Sequence, residues 1–283
     1  MMKIIEKCCR KIVDHSYLLR RYVDVLERSW NPIVRNVDNL KEGYSIIIVT
    51  DGKSEEQLKR SLYSTLEIFS GKDNYEVIVI GQNDKLPVVD KHISYIPYRS
   101  VSFMPGWITL KKNIGAFLAK YDTLVVMHDY IALCKGWLDG YMAYNRNYDV
   151  CTNRIIFLDG RRARDWTVYD YPGIGAALLP YSCFSEYIYI SGAYFVVKTQ
   201  FYRENPLDER RRWGEAEDVE WSVRIRKKTQ IMLNKNSCCQ FVKSKPQTEA
   251  PYIDSWIDRS IRLYNSLGFP LSKDNYETYV KEH

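Results

Sequence analysis

Four carboxylates within six positions, Glu215, Glu217, Asp218 and Glu220, stand just ahead of a helical pattern of Trp221, Val223, Arg224 and Ile225. Acids crowded in this way must be solvated or must hold a metal, another cation or a proton, because an unpaired buried anion is costly. Like charges also raise at least one of their pKa values, which suits a general base. About ninety residues upstream, the apolar run Thr123–Met127 leads straight into His128-Asp129-Tyr130. That places another carboxylate at a strand end, where open α/β sheets meet their ligands. Asp129, with His128 nearby, is therefore a candidate position for a ligand, a divalent cation such as Mg or Mn included. Two acidic sites at strand and helix ends predict one catalytic centre.

The elements that must position these groups follow from periodicity. Tyr44 to Thr50 is a short β-branched run of the kind expected of a parallel strand covered on both faces. Asp51-Gly52-Lys53-Ser54 follows, with Ser54 as a helix cap, and then Leu58, Leu62, Leu66 and Phe69 share one helical face. A second strand, Tyr75–Ile80, ends in Gly81-Gln82, and a weaker third covers His92–Pro97. Trp107–Ala119 reads as a helix that delivers the chain into the strand before Asp129. Strand, helix, strand at this spacing predicts a right-handed βαβ unit with its loops at the carboxyl edge of the sheet. The expected fold class is α/β, a mixed but mainly parallel Rossmann-like sheet flanked by helices. No G-x-G-x-x-G follows the first strand and no G-x-x-x-x-G-K-[ST] occurs, so neither a dinucleotide fingerprint nor a P-loop is present.

Composition narrows the class further. At 283 residues and 46% hydrophobic, the chain can bury one sizeable core. A formal net charge of +6 fits a protein that handles an anion better than a dedicated nucleic-acid binder, so no nucleic-acid partner is expected. Seven cysteines without a C-x-x-C pair argue against a zinc site or a disulfide framework, and point to a reducing cytoplasm. Met1–Lys7 lacks the apolar stretch of a signal peptide, and no apolar run reaches the roughly 18 residues needed to span a bilayer. The chain divides into an N-terminal helical segment (1–42), a main domain (43–250) and a C-terminal helical extension (251–283). The first carries apolar residues at helical spacing among Lys, Arg, Asp and Glu until Asn31-Pro32. It is read as a helix packed on the main domain, with a membrane-surface or oligomerisation helix left open.

On four stretches the chain resembles the GT-A glycosyltransferases, in particular the family-2-like inverting enzymes. They are Ile46–Leu66; Lys112-Asn113-Ile114-Gly115-Ala116; Val125–Tyr130; and Gly192-Ala193 followed by Trp213–Arg226, together spanning Tyr44–Val242. His128-Asp129-Tyr130 stands where that family has D-x-D and keeps one of the two carboxylates. Trp213–Glu220 resembles its E-D motif and is similar to the W-G-G-E-D-D-D stretch of galactosyltransferases. The resemblance implies a nucleotide-sugar donor, a glycan or lipid-linked acceptor, and a surface glycan built from the cytoplasmic side, with peripheral membrane association and homo-oligomerisation left open. It implies Asp218 as the base, Glu217 as an orienting group, and Glu215 and Glu220 as substitutes. Thr50, Asp51, Gly81, Gln82, Lys112, Asn113, His128 and Asp129 would contact the donor, with Asp129 holding the metal. Gly192, Ala193, Trp213 and Trp166 would contact the acceptor. Without a metal, Arg161-Arg162-Ala163-Arg164 or Arg210-Arg211-Arg212 would have to neutralise the leaving diphosphate. The aromatic, glycine-containing segment Asp165–Tyr189 would be a loop that orders over substrate. A nucleotidyltransferase-like enzyme and a noncatalytic carbohydrate-binding protein of the same topology are the alternatives.

Overall fold

The computed structural model describes residues 2–31, 37–82, 85–145, 147–243 and 250–283, the side chains of 2, 3 and 250–254 excepted. Two helices, α1 (Met2–Asp14) and α2 (Tyr17–Ser29), come first. Then follow β1 (Lys41–Val49), α3 (Glu55–Ile68), β2 (Tyr75–Gly81), β3 (Ile93–Pro97), α4 (Ile108–Leu118) and β4 (Tyr121–His128). β5 (Ile131–Leu133), α5 (Trp137–Ala143) and β6 (Val150–Ile156) lead into β7 (Thr167–Tyr171), β8 (Gly175–Leu178) and β9 (Ile188–Tyr189). The chain closes with β10 (Tyr194–Lys198), α6 (Thr199–Glu204), α7 (Glu217–Ile225), β11 (Ile231–Phe241), α8 (Ala250–Ser266) and α9 (Tyr276–Glu282).

The main sheet runs β3-β2-β1-β4-β10-β6-β11-β5. Its first four strands are mutually parallel; β10 is inserted antiparallel between β4 and β6. The apolar runs of β1, β2 and β4 are buried on both faces because their side chains alternate between two cores. Ile47, Val49, Ile78, Ile80, Leu124 and Val126 pack with α4 and Trp221 on one side. Ile46, Ile48, Val77, Val79, Val125 and Met127 pack with Leu58, Leu62 and Phe69 of α3 and with Trp137 on the other. Ser54 caps α3 through Gln57 N. This is the mainly parallel, helix-flanked α/β sheet expected from the sequence.

The segment expected to be a loop over substrate is instead a small sheet, ordered β8-β7-β9, with 172–174 as the tight connection of a hairpin. Several of its aromatic residues are spent on packing: Trp166 lies in the core, and Tyr171, Tyr181 and Tyr187 pack against it. Arg162, wholly inside, pairs with Asp165 at 2.8 Å and donates to Tyr264 OH and Val280 O, which ties the C-terminal helices to this sheet.

The arginine run 210–212 also has a structural occupation. Arg212 is buried, bonded to Glu27 at 2.9 Å and Asp24 at 2.8 Å, and lies 4.4 Å from the Trp107 ring. Arg20 pairs with Glu215, and Arg28 with Glu209, so four ion pairs staple α2 to the segment that precedes α7. Removing one partner of a buried pair leaves an uncompensated charge, which costs about 3–5 kcal/mol. Arg212→Ala is therefore expected to lower the unfolding free energy by about 3 kcal/mol, and Arg212→Met with Glu27→Gln by distinctly less; urea denaturation followed by tryptophan fluorescence measures both.

Candidate functional site

Strand register assembles the site. Val49 of β1 pairs with Ile80 of β2 and with His128 of β4, so Thr50, Gly81 and Asp129 emerge side by side at the carboxyl ends of three parallel strands. Thr50 donates its hydroxyl to Asp129 Oδ2 at 2.6 Å, and Asp129 N donates to Val49 O. Gly81 is pressed against Thr50: a Cβ there would lie 2.1 Å from Thr50 Cγ2, so no larger residue fits. On the other flank of β4, antiparallel pairing with β10 sets Tyr194 opposite Met127, and His128 N donates to Ala193 O at 3.0 Å. Gly192 N in turn donates to Asp218 Oδ2 at 2.9 Å. A Cβ at Gly192 would come within 2.8 Å of Glu217 Oε1 and 3.0 Å of Asp218 Oδ2, so the acidic turn closes directly onto bare backbone.

His128, Tyr130, Gly192, Ala193, Trp213, Glu217 and Asp218 line one cleft of about 1420 Å³. Tyr130 sits where the two acidic sites meet: burial raises its pKa first, and the charges of Asp129, Glu217, Asp218 and Asp51 push it further in that direction. Burial likewise raises the Glu217 carboxyl, against the pull of Lys112 and with a push from Asp218. Asp218 is half-buried, and its two oxygens accept from Gly192 N and Val219 N. Burial raises Asp129, with Asp51 adding to it, against the Thr50 hydrogen bond and the charges of Lys243 and Lys111. For Asp51 burial also acts upward, but hydrogen bonds from Lys53 and the charge of Lys111 leave it below its ordinary value.

His128 is kept neutral, its pKa driven well down by burial and by Lys112, Lys243 and Lys111. Its Nε2 is buried and has no hydrogen-bond partner, an atom waiting for a ligand in the wall of the cleft. A neutral imidazole nitrogen beside a carboxylate suits a divalent cation whose remaining positions come from phosphate oxygens and water. Among the described residues no group of three or more His, Cys, Asp or Glu could hold a metal ion by itself.

The cations are distributed differently from the sequence expectation. Lys112 is not on the donor side with Asp51; its ammonium, 1% exposed, donates to Gly192 O at 2.8 Å and lies 3.5 Å from Glu217 Oε1. Asn113 uses its amide on Leu207 O and Glu209 Oε1 and accepts from Tyr202 OH and Leu207 N, so it braces the backbone. Besides Lys53, which pairs with Asp51 at 2.6 Å, the lysines that act on Asp51 and Asp129 are Lys111 and Lys243, neither singled out from the sequence. Lys111 donates to Thr50 O at 2.8 Å, while Lys243 lies 3.5 Å above the Tyr130 ring and lines the cleft. Helical phase would have found Lys111, since adjacent residues of a helix buried all round must point in different directions. Gln82 lies with Gly81 in a separate pocket of about 490 Å³, walled by Trp30, Tyr95 and Tyr98. Trp213 is exposed at the cleft rim. Trp166 is not there; it is 3% exposed, with its indole N–H on Cys183 O.

No protein-family model matches the chain, and no curated protein matches it either. Among solved structures, residues 1–349 of TarS from S. aureus share 13% identity with it at a TM-score of 0.51, over 85% of this chain and 70% of that one. GalNAc-T7, crystallised with UDP, GalNAc and Mn2+, shares 15% identity at a TM-score of 0.56, over 81% of this chain and 48% of that one. The chain thus spans about half of that protein's length.

Burial pulls the Lys111 ammonium down to about 8 from 10.5, against the charges of Asp51, Glu27 and Asp129. Between those two pH values the unfolded chain binds a proton that the folded chain does not, so folding stability rises with pH through the window and levels off at its lower value below about 8, where both states carry the proton. Urea titrations at pH 7.5–10.5 are expected to show this rise in the wild type and a flatter profile in Lys111→Met. With its strands paired in this order and its acids at these strand ends, the chain has the GT-A fold of the glycosyltransferases.

Proposed function

We propose that the chain is a nucleotide-sugar-dependent glycosyltransferase that inverts the anomeric centre by direct displacement. The observation that carries this reading is that His128 and Tyr130, the neighbours of Asp129 in the chain, line the same cleft as Glu217 and Asp218, and that Tyr130 feels the charges of Asp129 and Asp51 on one side and of Glu217 and Asp218 on the other. The donor would lie over the carboxyl ends of β1, β2 and β4, its nucleoside near Asp51, Gly81 and Gln82. Its diphosphate faces Asp129, His128, Lys111 and Lys243. A divalent cation, held by Asp129 and His128, would neutralise part of the diphosphate charge when bound. The lysines supply positive charge that the protein itself has already oriented, which costs no reorganisation as the leaving group develops its negative charge.

Across the cleft, Asp218 takes the proton of an acceptor hydroxyl while that oxygen forms its bond to the anomeric carbon and the bond to the diphosphate breaks. Two backbone amides hold the carboxylate of Asp218 still, and Glu217 with Lys112 fixes the shelf at Gly192 on which it rests. Trp213, Tyr169, Tyr189 and Trp256 offer aromatic faces along the same cleft, suited to the apolar faces of a glycan acceptor. In this reading residues 43–250 are the catalytic domain, and 1–42 and 251–283 are helical extensions. The fold shared with GalNAc-T7, which was crystallised with UDP, GalNAc and Mn2+, supports a nucleotide-sugar donor and a divalent cation.

The test is nucleoside diphosphate release from a panel of nucleotide sugars, with manganese and with a chelator, followed by proton NMR of the product's anomeric signal. One donor class is expected to turn over, and Asp218→Asn to lower kcat by about 10²–10⁴-fold with little change in donor KM. Turnover unaffected by Asp218→Asn would remove the base from the mechanism. The absence of binding and release for every donor would overturn the transferase reading.

A further inference from the structure

The helical hairpin α1–α2 turns most of its apolar surface away from the domain. In α1, Ile4, Ile5 and Ile12 are strongly exposed, and only Val13, at one border of that face, is buried. In α2, Leu18, Tyr22 and Val25 recur at i, i+4 and i+7 on one exposed stripe, Leu18 being 76% exposed. The opposite side of α2 is the one that holds the protein: Val23 and Glu27 are buried, and Arg20 and Asp24 reach Glu215 and Arg212. Amphipathicity accounts for the inner side by packing and ion pairing, and it leaves the outer side without a structural task.

The charges around this outer face are biased. Arg212 neutralises Asp24 and Glu27, while Arg20 and Arg28 are taken up by Glu215 and Glu209. Arg10 is paired with Asp14, which leaves Lys7, Lys11 and Arg21 facing solvent along the hairpin, with Glu6 part-exposed. Apolar stripes bordered by lysine and arginine, with tyrosine among the apolar residues, match the boundary of an anionic bilayer, where acyl chains take the first group and headgroup phosphates the second. A second copy of the chain would set these same cations against themselves.

We propose that α1 and α2 dock the protein on an anionic membrane surface, with Ile4, Ile5, Ile12, Leu18, Tyr22 and Val25 in the interface. The inner side of α2 grips Arg212 and Glu215, which flank Trp213 at the rim of the cleft. Docking therefore sets the cleft mouth about one helix diameter, ~10 Å, from the lipid headgroups. The proposal stands whether or not the cleft transfers sugar.

The experiment is flotation of the full chain with phosphatidylcholine vesicles and with vesicles enriched in phosphatidylglycerol, beside sedimentation velocity without lipid. The expected result is retention on the anionic vesicles that weakens as salt rises from about 0.1 M to 1 M, because the screening length falls from about 10 Å to 3 Å. Ile5→Glu with Leu18→Glu should lower that retention at least about tenfold, and Lys7→Glu with Lys11→Glu should lower it on anionic vesicles. Thermal unfolding should be unchanged in both variants, since all four positions are exposed. Absence of retention, or equal and salt-insensitive retention on both vesicle types, overturns the proposal. So does a concentration-dependent dimer that Ile5→Glu with Leu18→Glu dissolves, for the face then belongs to a second copy.

Discussion

The hydrogen bond from His128 N to Ala193 O, and the antiparallel register behind it, is the constraint on which the rest of the site depends. β4 arrives in the direction of its parallel neighbours β1 and β2, so Asp129 shares an edge with Thr50 and Gly81. β10 runs the other way along the opposite flank of β4, so Gly192 and Ala193, just ahead of it, come to the same edge from another part of the chain. Gly192, with no side chain, then lets the turn before α7 press Glu217 and Asp218 against the backbone. A shift of one residue in this pairing would put the alternate side chains of β10 into the wrong core and carry Gly192 away from the acids. Register is held here by Phe195 and Val197 in one core and Tyr194 and Val196 in the other, so the hydrophobic pattern of a five-residue strand fixes the place of the carboxylates.

The second organising element is α4, whose first nine residues are all buried. A helix enclosed in this way would ordinarily be apolar all round. Instead it carries Lys111 and Lys112 in succession, about 100° apart around the axis. One ammonium is delivered to Thr50 and the acids of β1 and β4, the other to Gly192 and Glu217. Each half of the cleft therefore receives one buried cation from the same rigid helix. Burying an ammonium is costly unless carbonyl and carboxylate partners meet it: Lys112 has both, whereas Lys111 has Thr50 O and the Tyr98 ring, and burial pulls its pKa down. Asn113, bonded to Tyr202 OH and to the backbone of Leu207, fixes the far side of α4.

Much of this was readable in the residues, and the failures have physical reasons. β1, α3, β2, α4 and β4 are strong because unbroken β-branched runs and a clean helical face admit few other structures, and Asp129 and the acidic turn stood out as charge directly after apolar runs. What could not be read was direction around an axis. Lys112 rather than Lys111 drew notice through its place beside Asn113, yet helix phase sends them to opposite halves. Trp166 and the tyrosines after it suggested a sugar-stacking loop, but aromatic residues serve cores as readily as ligands: Trp166 lies in the core with Tyr171 and Tyr187 against it, while Tyr169 and Tyr189 line the cleft. The arginine run 210–212 looked like an anion site from charge alone. Its true partners, Asp24 and Glu27, lie 188 and 185 residues away and carry no local signal. Lys243 follows β11 and is placed at Tyr130 by tertiary structure alone.

The clamp between α2 and the segment around Arg212 also explains how an acidic turn so short in helical support is held. The residue before α7, Ala216, adopts a left-handed conformation with φ of 53°, and no side chain caps the helix. Such a start is unfavourable for a residue with a Cβ. It persists because the segment is fastened on both sides: Glu215 accepts from Arg20 and from Arg212 N, and Trp221, wholly buried, donates its indole N–H to Asn205 O. Glu217 and Asp218, lying between these fastenings, gain a fixed direction into the cleft without a local structure that favours it. The N-terminal helices thus belong to the machinery of the site, since the ion pairs that attach them are the ones that hold the acidic turn in its strained form.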